Sequence, residues 1–382
     1  MPGAGAAVGL LTGSLPHFPW DTLVPYADRA RAHPDGMVDL SVGTPVDPTP
    51  EIIRVALTAA ADAPGYPTTQ GTVALREAVC DWFARRRGVP GLDAAAVLPT
   101  VGSKELVAWL PSLLGLGAGD VVVHPEAAYP TYDVGSRLAG ATPLPADDVA
   151  AWAGRDDVRL VWVNSPSNPT GQVLGVERLR DVVRAARRIG AVVASDECYA
   201  LLPWEEPWVS SGVPSILDPR VAEGSHEGLL AVHSLSKQSN LAGYRAAFVA
   251  GDPVLVAQLL EVRKHAGMIV PAPVQAAMTR ALADDGHVDE QRERYGRRRD
   301  VLLRGLAAAG LEVEGSPAGL YLWARAGGPG QDCWDTVGDL ADLGILVAPG
   351  AFYGPAGARH VRIALTASDE AILTAASRLR SA

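Results

Sequence analysis

From about residue 97 to 250 the chain alternates short apolar runs with helical segments, and that alternation limits what it can build. Val97-Leu98-Pro99-Thr100, Val121-Val122-Val123-His124, Val158 to Val163, Ala191 to Ser195, Leu229-Leu230-Ala231-Val232 and Ala246 to Ala250 read as buried strands. Glu105 to Leu114 and Val176 to Ile189 read as helices between them. Strands fed through helices predict a mainly parallel sheet covered on both faces. Ligands bind such sheets beyond the carboxyl ends of the strands. Ser103, Tyr129, Asn168, Asp196 and Lys237 all fall at or just past those ends. At 382 residues the chain exceeds one ordinary core, so two domains are expected.

Upstream, Pro50 to Ala63 and Thr72 to Arg87 read as helices, the second capped by Thr72. The loop between them carries Tyr66. Downstream, helices near 253–265 and 273–309 lead to strand-like runs at 319–323, 345–348 and 360–364, a smaller α+β part. Residues 14–25 form a proline- and aromatic-rich arm that cannot be a regular helix throughout. It suits packing over a pocket mouth or a partner subunit, or a simple ordered strap. The glycine- and alanine-rich start, Met1 to Gly13, lacks the basic region and cleavage site of a secretion signal. No run approaches the length of a membrane span. A net charge of -10 argues against non-specific nucleic-acid binding. Cys80, Cys198 and Cys333 are far apart and odd in number, and the histidines lack metal spacing. No disulfide framework or metal site is expected, and a reducing cytoplasm fits.

Lys237 is the residue with the most chemistry to offer. It follows a buried run, among small and hydroxylic neighbours in His233-Ser234-Leu235-Ser236-Lys237, with Arg245 eight residues on. Desolvation and a nearby cation would lower its pKa and make the amine a nucleophile. Ser234 to Lys237 also fits the S-x-x-K of serine acylases, but the S-D-N and K-T-G partners of that class do not occur. Gly102-Ser103-Lys104 has the wrong order for a P-loop. Gly115-Leu116-Gly117-Ala118-Gly119 precedes a strand instead of following one, so it is a turn and not a dinucleotide loop.

The remaining reading is a lysine that holds pyridoxal 5′-phosphate (PLP) as a Schiff base. That cofactor needs an acidic partner for its pyridine nitrogen, a phosphate cup and a donor to its phenolate oxygen. Asp196 ends a nearly all-apolar strand, where a carboxylate is costly without a partner such as a protonated ring nitrogen. Tyr199 follows three residues on. Gly102-Ser103 at a helix start is a ready anion site. Tyr129 can stack on a planar ring, and Asn168 can donate from its amide. Gly43 either lets a ligand approach the backbone or only makes a turn. Arg362 inside an apolar strand demands an anionic partner, either a ligand or an internal carboxylate.

Ser165-Pro166-Ser167-Asn168-Pro169-Thr170-Gly171, Asp196-Glu197-Cys198-Tyr199, Ser234 to Lys237 with Arg245, and Arg362 together resemble the class I/II aminotransferases of PLP fold type I. The likeness runs from about residue 35 to the end. It implies a large α/β domain with a mainly parallel seven-stranded sheet at 46–265. A smaller α+β domain would occupy 266–382, and residues 1–45 would form an arm and part of that smaller domain. It implies that Lys237 carries the cofactor, Asp196 pairs with the ring nitrogen, and Asn168 and Tyr199 hold the phenolate oxygen. Ser103, Ser234 and Arg245 would bind the phosphate, with Gly102 and the amide of Lys104 alongside. Tyr129 would stack on the ring. Arg362 would fork the substrate α-carboxylate beside Gly43 and Asn168. Tyr66 would reach the phosphate of a neighbouring subunit, which implies a homodimer.

A closer likeness, to the succinyldiaminopimelate transaminases of bacterial lysine and cell-wall synthesis, rests on three stretches. They are Phe18-Pro19-Trp20-Asp21, Asp39 to Pro48, and Arg263-Lys264-His265-Ala266-Gly267. It implies ping-pong amino transfer between small amino and keto acids. Glutamate leaves as 2-oxoglutarate, and N-succinyl-2-amino-6-oxopimelate is aminated, with the amine of Lys237 moving the proton. Both substrates carry a distal carboxylate, for which Arg263, Lys264 or His265 is the expected cation. A carbon–sulfur β-lyase of the same fold and a non-enzymatic PLP-binding sensor are the rival readings. The sensor would need a DNA-binding domain ahead of residue 35.

Overall fold

The computed structural model describes residues 15–326, 328 and 330–381. The glycine- and alanine-rich start lies outside the described residues. In chain order the first strand is β1 (Val38–Asp39), followed by β2 (Val97–Val101), β3 (Val121–His124), β4 (Thr142–Pro145), β5 (Val158–Asn164), β6 (Val192–Asp196), β7 (Leu229–Ser234) and β8 (Ala246–Gly251). The C-terminal part adds β9 (Leu311–Val313), β10 (Tyr321–Ala326), β11 (Ile345–Leu346), β12 (Ala348–Pro349) and β13 (Val361–Ala364).

Strands β2 to β8 form one seven-stranded sheet in the order β2-β8-β7-β6-β5-β3-β4. The pairs from β4 through β7 run parallel, as the alternation predicts, while β8 lies antiparallel to both β7 and β2. The reversal has a simple cause. A parallel return needs a crossover of about a dozen residues or more, usually with a full helix. The β7–β8 connection is shorter and holds only the one-turn helix Leu235–Gln238. Strand β4 has no counterpart among the predicted strands. It pairs only with β3, and its Pro143 and Pro145 are tolerated because an edge strand can lack ladder donors.

Along β5 the side chains alternate. Val161 and Val163 enter the core on one face, Leu160 and Trp162 the core on the other. Both faces are therefore buried, and polar chemistry is confined to the strand ends. A third core gathers Leu40, Tyr321, Trp323, Ile345 and Ile363 around the small sheets. Strands β9, β10, β13 and β12 pair antiparallel, and β1 pairs with β11. The segment before residue 45 is thus built into the C-terminal part.

The arm is not a regular helix throughout, as expected: it forms a 3-10 turn, Pro19–Leu23, and then the helix Val24–Arg31. Pro25 is accepted in the first turn of that helix, where its missing N–H costs no bond. Two other local expectations change. The predicted helix 273–309 is two helices, Ala272–Leu282 and Gly286–Ala308, broken where the Asp284 carboxylate accepts from the amide of His287. The run 345–348 is divided between two sheets.

Candidate active site

The carboxyl ends of β2, β5, β6 and β7 and the turn after β1 converge on a cavity of about 630 Å³. Gly43, Ser103, Lys104, Tyr129, Asn168, Asp196, Tyr199, Ser234, Lys237, Arg245 and Arg362 all line it, so the expected residues meet in one place.

Lys237 stands on the one-turn helix Leu235–Gln238. Ser234 caps that helix, its Oγ accepting from the Ser236 amide at 3.1 Å. The Ser234 hydroxyl donates in turn to Ser236 Oγ at 2.8 Å, so Ser236 is a further hydroxyl of the site. The Lys237 ammonium donates to the carbonyl of Gly43. Burial, with Arg362 and Arg245 nearby, holds its pKa below the ordinary lysine range.

Gly102, at φ 79°, turns the chain from β2 into the helix Ser103–Leu113. A Cβ there would lie 2.1 Å from Arg245 Nη2. Only glycine lets the guanidinium press against the open amides of that helix start. The two together form a cradle for a dianion. Arg245 itself is held at φ 55°, with Nη1 donating to the Ala242 carbonyl at 2.8 Å.

Asp196 is buried at the end of β6. Its Oδ2 accepts from the Tyr132 hydroxyl at 2.9 Å and its Oδ1 from the Cys198 amide at 3.2 Å. Burial raises its pKa, and no cationic side chain pairs with it among the described residues. A buried carboxylate that borders a cavity and has no ion-pair partner among the described residues fits a protonated ring nitrogen. Tyr129 is pushed up to about 12 by burial, so its phenol stays neutral beside the cavity.

Arg362 has no internal carboxylate partner among the described residues. Nη1 donates to Asn168 Oδ1 at 3.0 Å and Nη2 to the Ser41 carbonyl at 2.6 Å. The guanidinium lies 3.9 Å from the Tyr321 ring centroid and 4.9 Å from that of Tyr353. Its charge is fixed in place and uncompensated. The Tyr199 hydroxyl meets that of Tyr321 at 3.3 Å. Gly43 fits closely here too, because a Cβ on it would fall 2.2 Å from the Tyr321 hydroxyl. Tyr132, Ser236 and Tyr321 escaped the sequence reading. A hydroxyl beside Ser234 could have flagged Ser236, but no local spacing marks the other two.

Two expectations do not join the cavity. Tyr66 is wholly exposed in this chain. Arg263 is fully buried and donates from both Nη atoms to Glu105, at 2.8 and 3.1 Å. Glu105 also accepts from the Val101 amide at 3.3 Å, so the pair secures the turn before Ser103. Arg263 is therefore already committed and is not a cation for a substrate carboxylate. Lys264 pairs with Glu261 on the surface, and His265 is exposed. Removing one partner of a buried ion pair leaves the other unpaired, so Arg263→Ala is expected to lose ~3–5 kcal/mol of stability. Chemical denaturation reads this, and an unchanged midpoint would show that the pair carries nothing.

A sheet of this order, with a lysine beyond the strand beside the reversed one, is the architecture of the PLP-dependent enzymes of fold type I. Residues 35–379 match the family Aminotransferase class I and II, and the chain belongs to that family. Its cofactor is PLP, and its substrates are amino and keto acids. It is 59% identical over 365 residues to the 4-dedimethylamino-4-oxo-anhydrotetracycline transaminase OxyQ of Streptomyces rimosus, covering 96% of this chain and 99% of that one. It is 59% identical over 377 residues to a probable aminotransferase of Mycobacterium tuberculosis, covering 99% and 88%. A probable N-succinyldiaminopimelate aminotransferase from Thermus thermophilus superposes with a TM-score of 0.84 at 29% identity, covering 95% of this chain and 99% of that one. No described helix is long and apolar enough to cross a membrane.

Proposed function

We propose that the enzyme moves an amino group between glutamate/2-oxoglutarate and N-succinyl-LL-2,6-diaminopimelate/N-succinyl-2-amino-6-oxopimelate. The observation that carries this reading is that, with Lys237 and Arg245 assigned to the cofactor, two further cations on the same cavity have no carboxylate partner among the described residues. Arg362 has no carboxylate partner among the described residues, and Lys104 likewise has no ion-pair partner there. A substrate with two separated carboxylates satisfies both. Arg362 takes the α-carboxylate, and Lys104, whose Nζ lies 6.0 Å from the Tyr129 ring centroid, takes the distal one.

PLP, when bound, supplies an electron sink for the bond broken at the substrate Cα. Asp196 holds the ring nitrogen protonated, and Asn168 and Tyr199 hold the phenolate oxygen. The Gly102 turn, Ser103, the Lys104 amide, Ser234 and Arg245 hold the phosphate, and Tyr129 lies against the ring. Lys237 anchors the cofactor. Its amine, whose pKa burial and the nearby cations lower, would accept the proton from Cα. Tyr66 is assigned to the site of a second copy, which its full exposure in the single chain supports. Three free thiols, far apart in sequence, support a reducing, cytoplasmic setting.

A second reading has its own observation. Phe18 and Trp20 line the cavity mouth, with Trp20 5.1 Å from Phe352, and such an aromatic wall suits a flat, bulky ketone. One relative that is 59% identical is named for a 4-oxo-anhydrotetracycline. A screen of glutamate against keto acceptors separates the two. Amination of the succinylated keto acid supports the first. Turnover confined to polycyclic ketones replaces it with the second. Lys104→Ala is expected to raise KM for the succinylated substrate roughly fivefold with kcat nearly unchanged, the loss of ~1 kcal/mol of exposed charge pairing. An unchanged KM moves the distal site away from Lys104.

A further inference from the structure

The Tyr321 side chain lies between groups assigned to opposite ends of the chemistry. Its ring lies under the Arg362 guanidinium at 3.9 Å. Its hydroxyl meets that of Tyr199 at 3.3 Å. The same hydroxyl fills the space that a side chain on Gly43 would take, and the Gly43 carbonyl accepts from Lys237. Strand β10 presents it from the core of the C-terminal part, and it is buried.

We propose that Tyr321 is a positioning residue that donates its hydroxyl proton to Tyr199 and thereby strengthens Tyr199 as the donor to the cofactor phenolate. The geometry favours that direction. The Arg362 guanidinium, 3.9 Å from the Tyr321 ring centroid, draws electron density from the phenol and makes its hydroxyl the better donor of the pair. A hydroxyl that accepts one hydrogen bond donates a stronger one in turn. The Arg362 charge that steadies this donor is the one a substrate carboxylate neutralises. The phenolate contact thus senses whether the carboxylate fork is filled. The inference rests on the assignment of Tyr199 to the phenolate oxygen.

The test is a pH titration of the visible absorption of the bound cofactor in the holoenzyme. Tyr321→Phe keeps the ring under Arg362 and removes only the hydroxyl. The pH midpoint is expected to rise by about 0.1 to 0.6 unit, the ~10–30% that cooperativity adds to one hydrogen bond to a charged oxygen. In a Tyr199→Phe background the same substitution is expected to add nothing, because the two act in series. A midpoint that rises in Tyr199→Phe but not in Tyr321→Phe overturns this inference alone. An equal rise from Tyr321→Phe in both backgrounds overturns it too, since the effect would bypass Tyr199. If neither single variant moves the midpoint, the assignment of Tyr199 fails and the inference fails with it.

Discussion

Lys237→Ala is expected to abolish transamination, a fall of at least ~10²–10⁴ in rate, because in the proposed function one amine both anchors the cofactor and moves the Cα proton. Weak cofactor binding is expected to survive, since the cradle of Gly102, Ser103 and Arg245 does not depend on the Lys237 side chain. The purified parent enzyme is expected to be yellow, and borohydride is expected to fix the cofactor on Lys237. Peptide mapping checks the position. A label on Lys104 or Lys264 would remove Lys237 from its role. Lys104 is the stricter control, because it lines the same cavity.

Asp196→Asn is expected to fold and to lose roughly 10²–10⁴ in rate, the scale of a lost electrostatic or acid–base partner. The amide retains the shape: its oxygen can still accept from the Cys198 amide, and its NH2 can donate to the Tyr132 hydroxyl, which rotates to accept. What it loses is the negative charge that keeps a ring nitrogen protonated. Single-turnover rates with glutamate, alongside thermal denaturation, separate the chemical loss from any loss of fold. A rate equal to the parent would mean that another group holds the nitrogen.

The residues that could be read from sequence share a property. Ser103, Asp196 and Lys237 are fixed by what lies immediately before them, a buried strand that has just ended. Local pattern is enough to place such groups at one rim of the sheet. Tyr321 had no such marker. Its partner Tyr199 is 122 residues away and lies on a different part of the fold. Arg263 was misassigned for the same reason. Its position at the end of a basic helix was visible, but Glu105, 158 residues earlier, was not identifiable as its partner. Strand β4 was hidden by its prolines, which argue against a strand wherever the sheet edge is unknown. The reversed β8 needed the limit on short connections, which alternation alone does not supply.

The reversal of β8 has one more consequence. Because β7 and β8 are joined by a single short connection, Lys237 near its start and Arg245 at its end belong to one stiff hairpin clamped by ladders on both sides. That hairpin acts as a gauge. The distance between Lys237 and Arg245, the proposed covalent anchor and phosphate clamp, is set by the geometry of one piece of chain. Movement of the C-terminal part can change what the Arg362 fork grips without changing that distance, so substrate choice can drift in evolution while the cofactor seat stays fixed.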